Sequence, residues 1–288
     1  MTKLRAFCGP VIHSLSPSEL EIITSALILV DAEGLIAAIV RDVELRNISN
    51  VLARLGVSAE NVRVHQLELG QFLTPGFVDT HNHAPQWAQR GLGQGMHILD
   101  WLDAVTFPNE ARFRDPDHAR RIYSGCVVGF LRQGVTTVSY YGSLHGEATR
   151  ILADICLEKG QRAFVGKCNM SRNSPEFYRD ASIAESLQVT EDCISHIRNI
   201  DPNGRLVRHV LTPRFAISCD PEVLQGLGEI AKRNPDLPIQ THFNEAERKL
   251  TLECHRIHGC PQAQARVLTR NLNRGDAGND GPVSPVHQ

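Results

Sequence analysis

Phe72-Leu73-Thr74-Pro75-Gly76-Phe77-Val78-Asp79-Thr80-His81-Asn82-His83 runs from an apolar segment into two histidines at alternate positions. Side chains at i and i+2 of a strand point to the same face. Two imidazoles on one face, at the end of a buried strand, can hold one divalent metal. The stretch suggests a metal hydrolase whose remaining ligands come from elsewhere in the chain.

Downstream, the pattern is strand, loop, helix, repeated. Residues 76–81 form the first apolar strand. A helix is predicted over 116–132, where Ala119, Ile122, Cys126, Val127, Phe130 and Leu131 recur at helical spacing and Gly134 lies just past the end. Further strands are predicted at 135–140, 162–168, 206–215 and 237–242. Helices are predicted at 147–159, closed by Gly160, and at 182–199, where Ser182 with Glu185 forms a capping box. Asp220-Pro221 opens another helix, with Asp as N-cap and Pro at the first position. Strands alternating with helices predict a parallel α/β architecture. His81, His83, Arg214 and His242 fall at the C-terminal ends of the first, fourth and fifth strands. Both barrels and doubly wound sheets place their sites there. The spread over separated strands favours a (β/α)8 TIM-type barrel, of which about five βα units are present.

Upstream, Ala26-Leu27-Ile28-Leu29-Val30, the turn Asp31-Ala32-Glu33-Gly34 and Leu35-Ile36-Ala37-Ala38-Ile39-Val40 read as a hairpin. The expected organisation is a small β-rich N-terminal domain over 1–74, a partial barrel over 75–250 and an atypical tail over 251–288. The end of that tail is dominated by Asn, Gly, Asp, Pro and Ser, a composition that reads as disordered.

Composition narrows the function classes. A hydrophobic fraction of 42% in 288 residues supports a real core, and a net charge of −2 gives no nucleic-acid tail and no anionic-membrane patch. The eight cysteines are scattered without a CxxC pair, which fits reduced, mostly buried thiols. Cys254-His255, His258 and Cys260 are crowded for tetrahedral closure and make a poor zinc clip. Met1-Thr2-Lys3-Leu4-Arg5-Ala6-Phe7 lacks a long apolar stretch and does not read as a signal peptide, so a cytoplasmic protein is expected.

Several residues besides the histidine pair carry possible chemistry, and each also has a plain structural reading. His242, in Gln240-Thr241-His242-Phe243-Asn244-Glu245, is a plausible third ligand or an ordinary strand-end histidine. Glu245 could move protons beside a metal-bound water or be a first-turn helix residue. Arg214 offers a guanidinium fork and Phe215 a flat ring for a heterocycle; alternatively they are a surface Arg and a core Phe. Gln86 could donate and accept at a base edge or be a solvated loop amide.

Together these stretches resemble the guanine deaminases, within the amidohydrolase superfamily of metal-dependent barrels. The resemblance rests on residues 75–86, on Gly160-Gln161-Arg162-Ala163-Phe164-Val165-Gly166-Lys167, on Thr212-Pro213-Arg214-Phe215-Ala216-Ile217-Ser218-Cys219 and on residues 240–245. Trp101-Leu102 and Thr106-Phe107-Pro108 match as well, and the likeness runs from about Arg5 to about Leu250. It implies that His81, His83 and His242 bind one zinc ion, and that Gln86 and Arg214 hold guanine by its edge and Phe215 by its face. Glu245 would carry a proton from the attacking water to the purine ring nitrogen, with ammonia leaving to give xanthine. It also implies a purine as the small-molecule partner and a possible homodimer.

The family uses a later histidine and an aspartate at the ends of later strands. His255, His258, His287, Asp276 and Asp280 follow no apolar strand, so none is a counterpart. The expectation is therefore a C-terminally truncated member of the family, with reduced activity. An inactive relative and another amidohydrolase deaminase are the alternatives.

Overall fold

The structure, a computed structural model, describes residues 4–243 and residue 245. The chain divides into two compact units, the first being Met1–Gly76 and the second beginning at Phe77.

In the first unit, strands β1 (Leu4–Ser16), β2 (Glu19–Val30), β3 (Ile36–Arg41) and β4 (Val62–Gln66) form one sheet in the order β3-β2-β1-β4. β2 runs antiparallel to both β1 and β3, whereas β4 joins β1 in parallel. The hairpin read from the sequence is present. Asp31 Oδ1 accepts from the Glu33 and Leu35 amides at 3.0 and 2.8 Å, and Gly34 takes the positive φ that closes the turn. Ala6, Cys8, Leu27 and Leu29 pack with Val51 and Leu52 of helix α1 (Ile48–Arg54) to form a small core.

The second unit is a parallel α/β arrangement. Strands β5 (Phe77–His83), β6 (Val135–Tyr141), β7 (Arg162–Gly166) and β9 (Val207–His209) form a sheet in that order, every pair parallel. The short strands β8 (Cys168–Asn169) and β10 (Thr212–Pro213) pair beyond it. After β5 come the short helices α2 (Ile98–Trp101) and α3 (Phe107–Ala111), joined by a π-helical turn over Leu102–Thr106. Helices α4 (Pro116–Arg132), α5 (Gly146–Lys159), α6 (Ile183–Ile200) and α7 (Pro221–Arg233) then alternate with the strands. The core lies between sheet and helices, where Tyr123, Val127, Leu152 and Cys156 meet Val138, Tyr140, Val165 and Val207.

Local chemistry sets the helix boundaries. Asp115 accepts from the Asp117 amide ahead of α4, and Ser182 Oγ accepts from the Glu185 amide at 3.1 Å ahead of α6. Gly160 ends α5 in the left-handed conformation at φ 73°. Asp220 stands at the N-cap of α7 as expected, yet its side chain makes no capping hydrogen bond.

Three strand expectations are corrected. The strand expected over 206–215 is split into β9 and β10, because its partners change there: the Val210 amide bonds Val165 and the Leu211 amide bonds Pro238. The strand expected over 237–242 is reduced to two bridges, Leu211 with Ile239 and Phe215 with His242. Pro238 has no amide proton, so it joins only through its carbonyl. β5 is not buried either: it pairs only with β6 in this sheet, and Phe77 and Val78 are exposed. The expected tail over 251–288 and its Cys254, His255, His258 and Cys260 group lie outside the described residues. The six described cysteines are buried and free of disulfides, and no described helix is long and apolar enough to cross a membrane.

Gly166, at the end of β7, has no room for a side chain. A Cβ there would collide with the Thr212 side chain and the Val210 carbonyl. Gly166→Ala is expected to cost about 1–3 kcal/mol, read as a lower urea midpoint. His209, at the end of β9, is 2% exposed and has no hydrogen-bond partner for either ring nitrogen among the described residues. Burial, helped by the Arg198 charge, pushes its pKa down to about 3. The folded state therefore binds this proton later than the unfolded chain, whose histidines titrate near about 6.5. Stability is complete above that pH and falls as pH drops toward 3, by up to about 1.4 kcal/mol per unit for this one group. Replacing His209 with Leu is expected to flatten that part of the stability profile, measured by denaturant titrations across the range.

Candidate metal centre

Among the described residues, His81, His83 and His242 bring their ligand-type nitrogens together, all within 4.8 Å of one another. β5 delivers the first two from alternate positions. The Asp79 carboxylate accepts from the His81 amide at 3.1 Å and from Asn82 Nδ2 at 2.9 Å, which fixes the strand end between them. His242 arrives from the chain beyond α7, where its amide donates to the Arg214 carbonyl at 3.0 Å. Its Nδ1 lies 2.7 Å from that same oxygen. A carbonyl can only accept, so Nδ1 carries the proton and Nε2 keeps the lone pair a metal requires.

The His83 and His242 Nε2 atoms are 2.9 Å apart. Two such nitrogens facing each other either share a proton or converge on a cation. Tyr141, at the end of β6, stacks on the His83 ring at 4.5 Å and 20° and holds its plane. Burial raises the Tyr141 pKa above its usual range, so the phenol stays neutral against the imidazoles. Three converging imidazoles, one with its tautomer fixed from behind, fit a divalent metal of the kind that keeps a further position open.

The triad lines a cavity of about 360 Å³. Glu245, Gln86, Arg214 and Phe215 line it too, so the candidate residues read from sequence are brought into one space. Trp87, Trp101, Leu102 and Phe130 supply apolar wall, and the Arg90 guanidinium lies 3.3 Å from the centroid of Trp87.

Arg214 is no surface residue: its side chain is 1% exposed. Its Nη1 and Nη2 donate to the two oxygens of Glu110 at 2.5 and 3.1 Å, and Glu110 is itself fully buried. Burial alone would lower the Arg214 pKa, but the Glu110 carboxylate outweighs it and keeps the guanidinium above its usual range. Gln86 Nε2 donates to the same carboxylate at 3.0 Å, and the Tyr178 hydroxyl donates to it at 2.7 Å. Phe215, 3% exposed, packs in a cluster with Phe107, Leu144 and Ile217 while presenting part of its ring to the cavity.

Sequence reasoning missed Glu110 and Tyr178. The motif match stopped at Pro108, two residues before the acid. The available signal was physical: an Arg at the end of an inner strand demands a buried carboxylate.

The amidohydrolase family pattern matches residues 72–265, and the chain belongs to the amidohydrolase family. It is 38% identical, over 85% of its length, to the probable guanine deaminase of Schizosaccharomyces pombe, of which it covers 46%. It is 36% identical, over 84% of its length, to the guanine deaminase of Dictyostelium discoideum, of which it covers 54%. The chain thus spans about half the length of these curated relatives. The crystal structure of guanine deaminase from C. acetobutylicum with bound guanine matches with a TM-score of 0.80 at 26% identity, over 93% of this chain and 59% of that one.

A triad of this kind is expected to bind one equivalent of a divalent metal. His242→Ala is expected to lower that affinity by more than about tenfold, measured by competition with a chromophoric chelator.

Proposed function

We propose that the cavity is the catalytic site of a zinc-dependent deaminase that hydrolyses guanine to xanthine and ammonia. The observation that carries the reading is the joining of three imidazoles, a carboxylate and a polar Arg–Gln wall around one 360 Å³ space. The names of the relatives supply the substrate.

In this reading His81, His83 and His242 hold zinc, which when bound lowers the pKa of a water from about 15.7 toward 7. Glu245 takes the proton of the attacking water and delivers it to the purine ring nitrogen. Water oxygen adds to the carbon bearing the exocyclic amino group, and its remaining proton passes to that amino group as the carbon–nitrogen bond breaks and ammonia leaves. Arg214 and Gln86 hold the edge of the purine, and Phe215 with the neighbouring apolar wall holds its face. A cavity of this size suits one bicyclic base.

The reading extends to the fold. Residues 75–250 supply about five βα units of a (β/α)8 barrel, and residues 1–74 form a separate small β domain. A cytoplasmic homodimer completes it, both points resting on the resemblance to the guanine deaminases.

The test is turnover of guanine to xanthine by the zinc-loaded 288-residue chain. Glu245→Gln is expected to lower kcat by about 10²–10⁴-fold. Equal turnover in that variant would remove Glu245 from the proton path, and preference for a pyrimidine in a substrate panel would end the guanine assignment.

A further inference from the structure

Glu110 is not among the residues that line the cavity, yet Gln86 and Arg214, which do, are both tied to it. A carboxylate has two oxygens with about four acceptor positions. Here four donors fill them: Arg214 Nη1, Arg214 Nη2, Gln86 Nε2 and the Tyr178 hydroxyl. The Tyr178 oxygen in turn accepts from the Leu144 amide at 3.0 Å, which anchors the assembly to the loop after β6.

This arrangement has a chemical consequence for the wall. An isolated glutamine side chain can present either its oxygen or its NH2 group. Next to an acceptor-only carboxylate it must turn its NH2 inward. Gln86 Oε1, which makes no hydrogen bond among the described residues, is then the atom left for a ligand. Arg214 has only donors. Nη1 and Nη2 each carry a second N–H beyond the one given to Glu110, so what Arg214 can turn to the cavity it lines is a donor. The wall is thereby fixed as one acceptor beside one donor.

We infer that Glu110 is a positioning residue that sets this polarity, so that the site selects a ring edge carrying an N–H beside a C=O. This rests on the reading of the cavity as a purine site and deepens it. Guanine offers such a lactam edge. A 6-amino purine offers the reverse, a ring nitrogen acceptor beside an NH2 donor, and would leave buried polar groups unpaired or opposed.

The test compares equilibrium binding of guanine and of 2,6-diaminopurine to the zinc-loaded chain. Wild type is expected to prefer guanine by more than about 100-fold. In Glu110→Gln the amide of residue 110 can accept or donate, Gln86 can turn over, and the preference is expected to fall by at least about tenfold. Glu110→Asp keeps the negative charge but is one methylene shorter, which loosens the oxygen shared by Gln86 and Arg214, so it decides the matter should the Gln variant fail to fold. There too the preference is expected to fall by at least about tenfold. A role in folding alone would weaken both ligands equally, and an unchanged ratio in a folded variant would overturn the inference. Absence of any purine binding by wild type would instead overturn the proposed function, and this inference with it.

Discussion

Arg214 holds the two halves of the site together by two different parts of itself. Its guanidinium pairs with Glu110 and so carries the polar wall. Its carbonyl accepts from both the amide and Nδ1 of His242 and so carries the third imidazole. A displacement of this residue would move the wall and the triad together. Burying the ion pair removes two charges from water, a penalty of several kcal/mol per ion before any attraction is counted. The geometry that offsets it is favourable: Nη1 and Nη2 are both engaged, the remaining acceptor positions of the carboxylate are filled, and the Phe107 ring lies 5.4 Å from the guanidinium carbon. Replacing such a pair by apolar residues often stabilises a protein. Its presence here points to a positional role rather than to stability as its reason.

The elements that were legible in the sequence share a property. The His-x-His at the end of β5, the Asp115 and Ser182 caps and the Gly160 terminus are all written in neighbouring residues. Periodicity and capping chemistry are local, so a few positions suffice to read them. The departures arise where tertiary partners decide. Nothing within residues 206–215 shows that Val210 will bond to β7 while Leu211 bonds to Pro238. Likewise, nothing around Glu110 shows that it will meet a guanidinium 104 positions away. Arg214 itself was legible as a fork, but its role was read as contact with the ligand alone. The structure adds that part of the fork is already committed to Glu110.

The same contrast between local and distant determinants governs how firmly the triad is assembled. His81 and His83 are fixed within one strand, and Asp79 braces the segment between them. His242 lies 159 residues beyond His83, and the closure of so long a loop is opposed by chain entropy. The sheet shortens the effective loop, because each parallel crossover returns the chain to the same end. The backbone bonds from Gln240 to Leu211 and from His242 to Arg214, together with the Nδ1 contact, help to seat His242.

Each of these bonds joins the segment around His242 to residues 211–214. A ligand held only when all three imidazoles are together adds its binding free energy to that segment by mass action. Metal binding and the seating of His242 are in this sense one equilibrium: the groups that would hold a cation are also those whose approach completes the last strand contact. Arg214 lies on both sides of it. The carbonyl that receives His242 belongs to the residue whose side chain Glu110 holds. The Arg214 side chain and its carbonyl thus tie the polar wall and the third imidazole to one residue.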